Sequence, residues 1–423
     1  MKITKQSHKL MSFFVKNNCL MPLKQTNKTN NIFKNIYNEI TNSVSYIEDL
    51  KTKNGSSFYK LKIVNITNVK QIQKPTTFPP NAFPSEIRKH INDNSLSSLK
   101  YSFNLFNRNI NIIFLTENEN MDSLIETYNN YVDYMLVWLY IVDKYASKNC
   151  STELNIYIYH TTLLKLLPSS SIEILDENNV NTAFTSTCPK DSEIVVFRKE
   201  EWFKVFIHET FHNFGLDFSD MNQMQCKTEI LSIFNVNSEV NLFESYTEFW
   251  ARLINTLFCS YSNMKNKHNI DEFLINSEYF INFEIMYSFF QMVKVLDFMS
   301  MKYTDLYENS DLSENVRNTM YKENTSVLSY YIITLILFNN YQEFLSWCNT
   351  NNNSLLQFKK TTSNLNSFCK FIEKKYKSKR MLNGVNCSED LLVKLKHNNV
   401  KNKQQTDTIY LLHNLRMTIC ELG

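Results

Sequence analysis

The chain has 423 residues and a net charge of +3, and 43% of its residues are hydrophobic and 14% aromatic. Such a chain is long and apolar enough to bury a sizeable core, as two or three domains or as one large domain with extensions. The small net charge excludes the strongly basic surface that nucleic-acid and membrane-surface binding require, so we expect neither partner.

The N-terminus has neither the continuous apolar run nor the small-residue cleavage site of a secretory signal. The longest apolar runs, 134–142 and 327–338, are shorter than the roughly 20 residues that span a bilayer. We therefore expect an intracellular, cytosolic-type protein whose nine cysteines, which form no CxxC pair, are reduced thiols. Heavy use of Asn, Lys, Ile, Phe and Tyr indicates an AT-rich genome, typical of large DNA viruses, with the host cytoplasm or the virion as the expected location.

In chain order, the polar and aperiodic residues 1–30 predict a mobile arm. Four prolines between Pro75 and Pro84 predict an extended linker or lid. Around them, hydrophobic periodicity predicts a helix at 31–50, strands at 58–66, 99–105, 109–115, 153–160, 181–188 and 193–198, and a long helix at 122–146. After residue 225 the pattern is almost entirely helical, with helices at 241–258, 271–302 and 312–340.

This order of elements predicts an α+β fold. A small, mostly antiparallel sheet within about 95–198 packs on the helices at 122–146 and 200–214, and a helical C-terminal half follows. We expect an N-terminal extension with a proline-rich linker (1–94), a central domain (95–305) and a helical C-terminal region (306–423).

The segment with the clearest chemical content is the HExxH sequence at 208–212. On a helix, His208 and His212 lie one turn apart on the same face, so both imidazoles can reach one ion at about 2.0–2.1 Å from each nitrogen. Glu209, beside that face, can take a proton from a metal-bound water and deliver it to a leaving amine. The sequence therefore predicts a zinc site with a general base.

The flanking residues favour a helix at this position. Acidic residues in the first turn suit the helix dipole, and Trp202, Val205 and Phe206 supply the spacing of a buried face. Gly215 follows His212 by three residues, where a left-handed residue commonly ends a helix. The chain has only four glycines, so this placement indicates a backbone requirement.

A second helix, starting near Phe243, offers the remaining donor. Two helical histidines need a third protein ligand and one open position, and Glu244 can be that ligand. Glu248, one turn later, can accept the ring N–H of a liganding histidine. The alternative is an ordinary surface pair of Glu248 with Arg252, but the aromatic neighbours indicate that this helix is buried.

These segments, HETFH and ESYTEFWAR, resemble the zincin peptidases. Within them they resemble the gluzincins, and most specifically the catalytic domain of anthrax lethal factor and its relatives. The resemblance covers about residues 95–305 as an order of elements, and it implies that this is a zincin-like catalytic domain. It implies that His208, His212 and Glu244 bind Zn²⁺, that Glu209 is the base and that Glu248 orients a histidine. It also implies an antiparallel edge strand that binds the substrate backbone, for which 181–188 is the candidate.

Two departures from the family pattern leave alternatives open. The lethal-factor group carries a tyrosine seven residues before the ligand Glu, where this chain has Asn237, so the oxyanion stabiliser is unassigned and Tyr246 and Tyr287 are the candidates. HETFHNFGLDF also matches part of the metzincin pattern, but Phe218 stands where that group has its third ligand. If Glu244 is not the ligand, Asp217 or Asp220 is the next candidate.

The sequence thus predicts a zinc metallopeptidase with a peptide or protein substrate. The alternatives are an inactive zincin-fold binding or structural protein and a metal hydrolase of a non-peptide substrate. Cys188, near the predicted cleft, is either a thiolate that masks the zinc or, as we expect, a buried structural cysteine. The sequence makes no prediction of the oligomeric state.

Overall fold

A mixed β-sheet organises the protein in a computed structural model that describes residues 1–17, 20–55, 58–79, 82–401 and 406–423. Within these residues the sheet has six strands: Lys60–Asn65 (β1), Ser97–Leu105 (β2), Arg108–Thr116 (β3), Glu153–His160 (β4), Ala183–Thr185 (β5) and Asp191–Val196 (β6). They are arranged in the order β1-β2-β3-β4-β6-β5. The short strand β5 is therefore one edge of the sheet.

The described residues also form fifteen α-helices, so the predicted α+β class is confirmed. They are Lys5–Asn17 (α1), Asn27–Asn54 (α2), Ser85–Asn94 (α3), Ile125–Asp143 (α4), Glu177–Val180 (α5), Trp202–Asn213 (α6), Met224–Ile233 (α7), Leu242–Ser262 (α8), Ile270–Phe298 (α9), Asp311–Met320 (α10), Thr334–Asn339 (α11), Tyr341–Asn351 (α12), Thr362–Lys375 (α13), Lys379–Lys401 (α14) and Thr406–His413 (α15). A π-helical segment, Leu328–Ile333, directly precedes α11.

The prediction of a mostly antiparallel sheet is correct at the edges and wrong at the centre. Strands β1, β2 and β3 pair antiparallel, as do β5 and β6, whereas β3–β4 and β4–β6 are parallel. Helix α4 lies between β3 and β4 in the chain, and such a crossover returns the chain in the same direction. The predicted hairpin is confirmed, and Phe106 and Asn107 form its two-residue turn with φ of 59° and 58°.

Opposite faces of the sheet face different layers, because successive side chains of a strand alternate. Residues such as Phe114 and Ile156 point to one face and join the main core with α4 and α6. Their neighbours Ile113 and Tyr157 point to the other face and pack under α3 and the segment that precedes it. Helices α4 and α6 thus share one face of the sheet.

The main core includes buried residues from Leu10 to Leu422. Residues of each predicted segment, 1–94, 95–305 and 306–423, belong to it, so the core does not stop at either predicted boundary. No helix in the described parts of the chain combines the length and the apolar character needed to cross a membrane.

Two predicted segments are wrong. Residues 1–30 are not a mobile arm in their described part, because α1 and the start of α2 are helical and α1 buries Leu10, Met11 and Phe14. The predicted single helix 312–340 is interrupted between α10 and the π-helical segment. There the Asn324 N–H donates to Leu175 O and the Thr325 hydroxyl to Asn181, so tertiary contacts replace the helical hydrogen bonds.

The proline-rich segment is not a lid over α6 in its described residues. The backbone N–H groups of Thr76 and Thr77 donate to the Glu193 carboxylate of β6 at 2.8 Å. Phe83 packs in the core on the sheet face opposite α6. Part of the predicted segment, residues 80–81, lies outside the described residues.

Candidate metal centre

Helix α6 carries the HExxH sequence and is buried along its whole length. It begins after Glu201, a residue in the left-handed region with φ of 59°. The Glu201 carboxylate pairs with buried Lys165 at 2.7 Å and accepts the backbone N–H groups of Met417 and Thr418. The C-terminal segment therefore holds the start of α6 in place.

The end of α6 is fixed by backbone geometry. Gly215 has φ of 67°, as its position after His212 predicted, and its N–H donates to His212 O at 3.0 Å. The Leu216 N–H reaches back to Phe211 O at 2.9 Å. Both bonds satisfy carbonyls that the last helical turn leaves free.

Three donor atoms converge beside α6. His208 Nε2 lies 3.1 Å from His212 Nε2 and 3.1 Å from Glu244 Oε2, and His212 Nε2 lies 3.5 Å from the same Glu244 oxygen. Glu244 lies in the first turn of α8, which packs along α6. The structure thus brings together the three residues that the sequence suggested as ligands.

The other ring nitrogen of His208 contacts Glu248. His208 Nδ1 lies 2.9 Å from Glu248 Oε2, and Lys204 Nζ donates to both Glu248 oxygens at 2.9 and 3.1 Å. Lys204 and Glu248 are only 3% and 1% exposed. Although burial favours the protonated acid, Lys204 and His208 lower the pKa of Glu248 to about 2. Glu248 is therefore a carboxylate acceptor, and in the neutral imidazole it favours the tautomer with the proton on Nδ1.

The other ring nitrogen of His212 contacts Asp217. His212 Nδ1 forms a short hydrogen bond with Asp217 Oδ2, which also accepts from the Thr247 hydroxyl at 3.3 Å. Asp217 Oδ1 accepts the backbone N–H and the hydroxyl of Ser219 at 3.0 and 2.8 Å. Asp217 is thus placed to orient an imidazole through Nδ1, and it lies outside the group of donor atoms formed by His208, His212 and Glu244.

The ionisation of the two histidines follows from these contacts. Burial disfavours both imidazolium ions, but the adjacent carboxylates outweigh it and raise the pKa of His208 and, further, that of His212. Against burial, the same histidines lower the pKa of Glu244. The carboxylates around the two histidines therefore favour positive charge in this cluster.

Glu209 lies next to this cluster and is 6% exposed. Burial raises the pKa of its carboxyl, against the opposing effect of His208 and His212. Among the described residues, no side chain or backbone group forms a hydrogen bond with the Glu209 carboxylate. It is therefore available to a ligand or a water molecule.

Tyr330, in the π-helical segment, completes the cluster. Its hydroxyl donates to Glu244 Oε2 at 3.0 Å, and its ring centroid lies 6.1 Å from that of His208. Burial, together with the nearby Glu244 and Glu209 carboxylates, raises the pKa of Tyr330 well above its usual value. The phenol therefore remains a hydrogen-bond donor.

A small cavity of about 30 Å³ connects Glu209 with the sheet edge. Its walls include Lys204, Tyr330 and, from the edge, Thr182 and Ala183. Thr182 O accepts the N–H of Phe197 at 2.8 Å in the pairing with the end of β6. In an antiparallel pair the next residue directs its N–H and C=O away from the partner strand. The backbone of Ala183 therefore faces outward beside the cluster.

Among the cysteines that the structure describes, three differ from the prediction that all nine are reduced. Cys188 forms a disulfide with Cys150 and is neither a free thiolate nor a simple buried cysteine, and Cys387 is also disulfide-bonded. Cys150 and Cys188 are 38 residues apart in the chain, and they come together because the strands that follow them, β4 and β6, are neighbours in the sheet. Their spacing in the sequence therefore did not indicate a disulfide. The described free cysteines, Cys226, Cys259, Cys348, Cys369 and Cys420, are all buried.

The two tyrosines suggested as oxyanion stabilisers lie elsewhere. The Tyr246 hydroxyl donates to Leu356 O at 3.0 Å, and the Tyr287 hydroxyl to Asn414 Oδ1 at 2.7 Å. Asp220, a fallback ligand, is an exposed residue that pairs with Lys360. None of these three side chains belongs to the cluster.

Comparison with protein-family models, with curated proteins and with solved structures finds no match to this chain.

Proposed function

We propose that the protein is a zinc-dependent metallopeptidase of the zincin type. In this proposal His208, His212 and Glu244 hold Zn²⁺ and Glu209 is the general base. One observation carries the proposal, namely the triangle of donor atoms with edges of 3.1, 3.1 and 3.5 Å.

The triangle has the dimensions of a zinc site. Ligand atoms at about 2.0–2.1 Å from a tetrahedral ion lie roughly 3.3–3.4 Å apart. Because Nδ1 of each imidazole faces a carboxylate, each Nε2 presents a lone pair to the other and to Glu244 Oε2. Three converging lone pairs repel one another unless a cation or a proton lies between them.

The donor set favours zinc over other common divalent ions. Mg²⁺ and Ca²⁺ prefer six or more oxygen ligands, whereas two imidazoles and one carboxylate are typical of catalytic zinc. Carboxylates on both Nδ1 atoms fix the tautomer and the ring orientation that such a site needs.

The chain's own residues have distinct roles in the proposed reaction. Bound Zn²⁺ supplies Lewis acidity that activates a water molecule and polarises a carbonyl. Glu209, with an accessible carboxylate and a raised pKa, accepts the proton of the attacking water and passes it to the leaving amine. In the reaction the Tyr330 hydroxyl, which donates to Glu244 Oε2 in the structure, turns to the oxygen on which negative charge develops.

The sheet edge supports a peptide substrate over a non-peptide one. A free edge strand pairs with an extended peptide through backbone hydrogen bonds. The outward-facing N–H and C=O of Ala183 lie beside the Glu209 cavity and are suited to this role. A small non-peptide substrate would not form this backbone pairing with Ala183.

The test is turnover by zinc-loaded protein on a broad peptide library, with Glu209→Gln as the variant. We expect Glu209→Gln to keep the fold and the zinc and to lose about 10²–10⁴-fold in rate, because an amide cannot accept the proton. Glu117→Gln is the matched control, since Glu117 pairs with His90 away from the cluster. Wild-type protein that is loaded with zinc but cleaves no peptide contradicts the proposal and favours a binding protein.

A further inference from the structure

A second group of metal-type side chains lies between α7 and α13, outside the cluster around Glu209. Cys226 and Glu229 lie on α7, and Cys369 lies on α13. One donor atom of each residue lies within 4.8 Å of the donor atoms of the other two. Both cysteines are buried, and Glu229 is half-buried.

A fourth donor completes the arrangement. Asn366 Oδ1 lies 3.8 Å from Cys226 Sγ. Cys226 and Glu229 are three residues apart on α7, and Asn366 and Cys369 are three residues apart on α13. Residues at this spacing share a helix face, so each helix presents one sulfur and one oxygen toward the other.

We infer that Cys226, Glu229, Asn366 and Cys369 form a second metal site, which binds a thiophilic divalent ion such as Zn²⁺. Thiolates lie about 2.3 Å and oxygen ligands about 2.0–2.2 Å from tetrahedral zinc, so a sulfur and an oxygen ligand lie roughly 3.5–3.7 Å apart. The separation of 3.8 Å between Cys226 Sγ and Asn366 Oδ1 is close to this value. Two sulfur donors select Zn²⁺ over Mg²⁺ and Ca²⁺.

The ion has a structural role at this position. In the chain, α7 lies between α6 and α8, the helices that carry His208 and Glu244. An ion bound by α7 and α13 would therefore link the segment that connects α6 with α8 to α13, a helix about 140 residues later in the chain. Four protein donors leave no open position, which is typical of structural sites, and metal binding then adds to folding stability.

The competing explanation is a pair of neutral thiols. The Cys226 thiol donates to Leu365 O at 3.4 Å, which satisfies it without a metal. A second thiol pair in the protein, Cys259 and Cys420, provides the contrast. Its acidic neighbour, Glu284, is held by Arg252 at 2.8 Å and by backbone N–H groups, so that pair lacks an available carboxylate.

Cobalt distinguishes the two explanations, because thiolate ligation to Co²⁺ produces a near-ultraviolet charge-transfer band. Full-length protein is titrated with Co²⁺ under anaerobic conditions without reductant, so that Cys150 and Cys188 remain joined. We expect a band that saturates at one Co²⁺ per chain. It should be lost in Cys226→Ser and in Cys369→Ser, and kept in Cys259→Ser.

The test does not depend on the proposed function, because the first site has only nitrogen and oxygen donors. His208→Ala should lose that site and keep the band. Wild-type protein without a band, or a band that survives both serine variants, overturns the inference. If the serine variants do not fold, Glu229→Gln replaces them. It should weaken Co²⁺ binding at this site at least about 10-fold, and unchanged binding overturns the inference.

Discussion

The two histidines of the candidate zinc site are oriented by carboxylates in different surroundings. On the His208 side, Glu248 is neutralised by the buried ammonium of Lys204. On the His212 side, Asp217 accepts hydrogen bonds from the uncharged donors of Ser219 and Thr247. Both arrangements leave Nε2 free to face Glu244.

The two imidazoles are therefore oriented in the same way by carboxylates in different electrostatic surroundings, and the two arrangements should respond differently to substitution. A buried ion pair is strongly destabilising when one partner is removed, because the other charge remains unpaired in the interior. Neutral donors that lose an acceptor can turn to water or to one another at lower cost. The His208 side should therefore tolerate substitution less well than the His212 side.

The largest expected effect follows from Glu248→Ala, which leaves Lys204 buried without its partner. We expect a loss of about 3–5 kcal/mol in the free energy of unfolding, measured by urea denaturation of metal-free protein. The double variant Glu248→Ala/Lys204→Met removes both charges and should recover much of this loss. If the double variant is as unstable as the single one, the charge on Lys204 is not the cause.

Tyr330→Phe tests the catalytic contribution on the His208 side without removing a charge. We expect kcat to fall by about 10²–10³-fold, as for other donors to a developing oxyanion, with zinc still bound. Tyr331→Phe is the matched control, because the neighbouring Tyr331 hydroxyl donates to Leu415 O away from the cluster. Equal effects of the two substitutions on kcat would show that Tyr330 has only a packing role.

Asp217→Ala should have a smaller effect on stability than Glu248→Ala, about 1–3 kcal/mol, because His212 still faces the Glu244 carboxylate at 3.5 Å and the other donors, from Ser219 and Thr247, are neutral. The loss of orientation of His212 should weaken zinc binding by about 10–100-fold, measured by competition with a chelator. Zinc affinity equal to that of the wild type would mean that Asp217 does not orient the imidazole.

The smallest effect concerns pH. Burial opposes protonation of both histidines, but the flanking carboxylates raise the pKa of His208 and raise that of His212 further. A histidine with a raised folded-state pKa stabilises the fold fully below its unfolded pKa of about 6.5, and this contribution is lost as pH rises through the folded value. The unfolding free energy of metal-free protein should therefore decrease as pH rises above about 6.5, and less steeply in Asp217→Ala. If the unfolding free energy of the wild type does not change with pH in this range, the raised pKa values of the two histidines are contradicted.

The parts of the site that depend on helical spacing could be predicted from sequence. His208, Glu209 and His212 lie on one helix, and Glu244 and Glu248 lie one turn apart on another. Lys204, four residues before His208, belongs to the same helix face, so its spacing could have indicated the contact with Glu248.

The roles of Tyr330 and Asp217 in the site, and the order of strands in the sheet, depend on tertiary structure. Tyr330 reaches Glu244 across 86 residues, from a segment whose periodicity predicted one continuous helix. Asp217 could be placed near His212 but not assigned a role, because a loop carboxylate can bind a metal or a ring nitrogen. Parallel pairing at the centre of the sheet depends on which strands become neighbours, and strand periodicity does not encode that order.

The proposed function rests on the claim that His208, His212 and Glu244 bind one zinc ion. The most direct measurement is the zinc content of purified full-length protein by mass spectrometry, compared with that of His208→Ala/His212→Ala and Glu209→Gln. We predict that the double variant contains one zinc per chain fewer than the wild type and that Glu209→Gln contains the same amount as the wild type. Equal zinc content in a correctly folded double variant would contradict the claim.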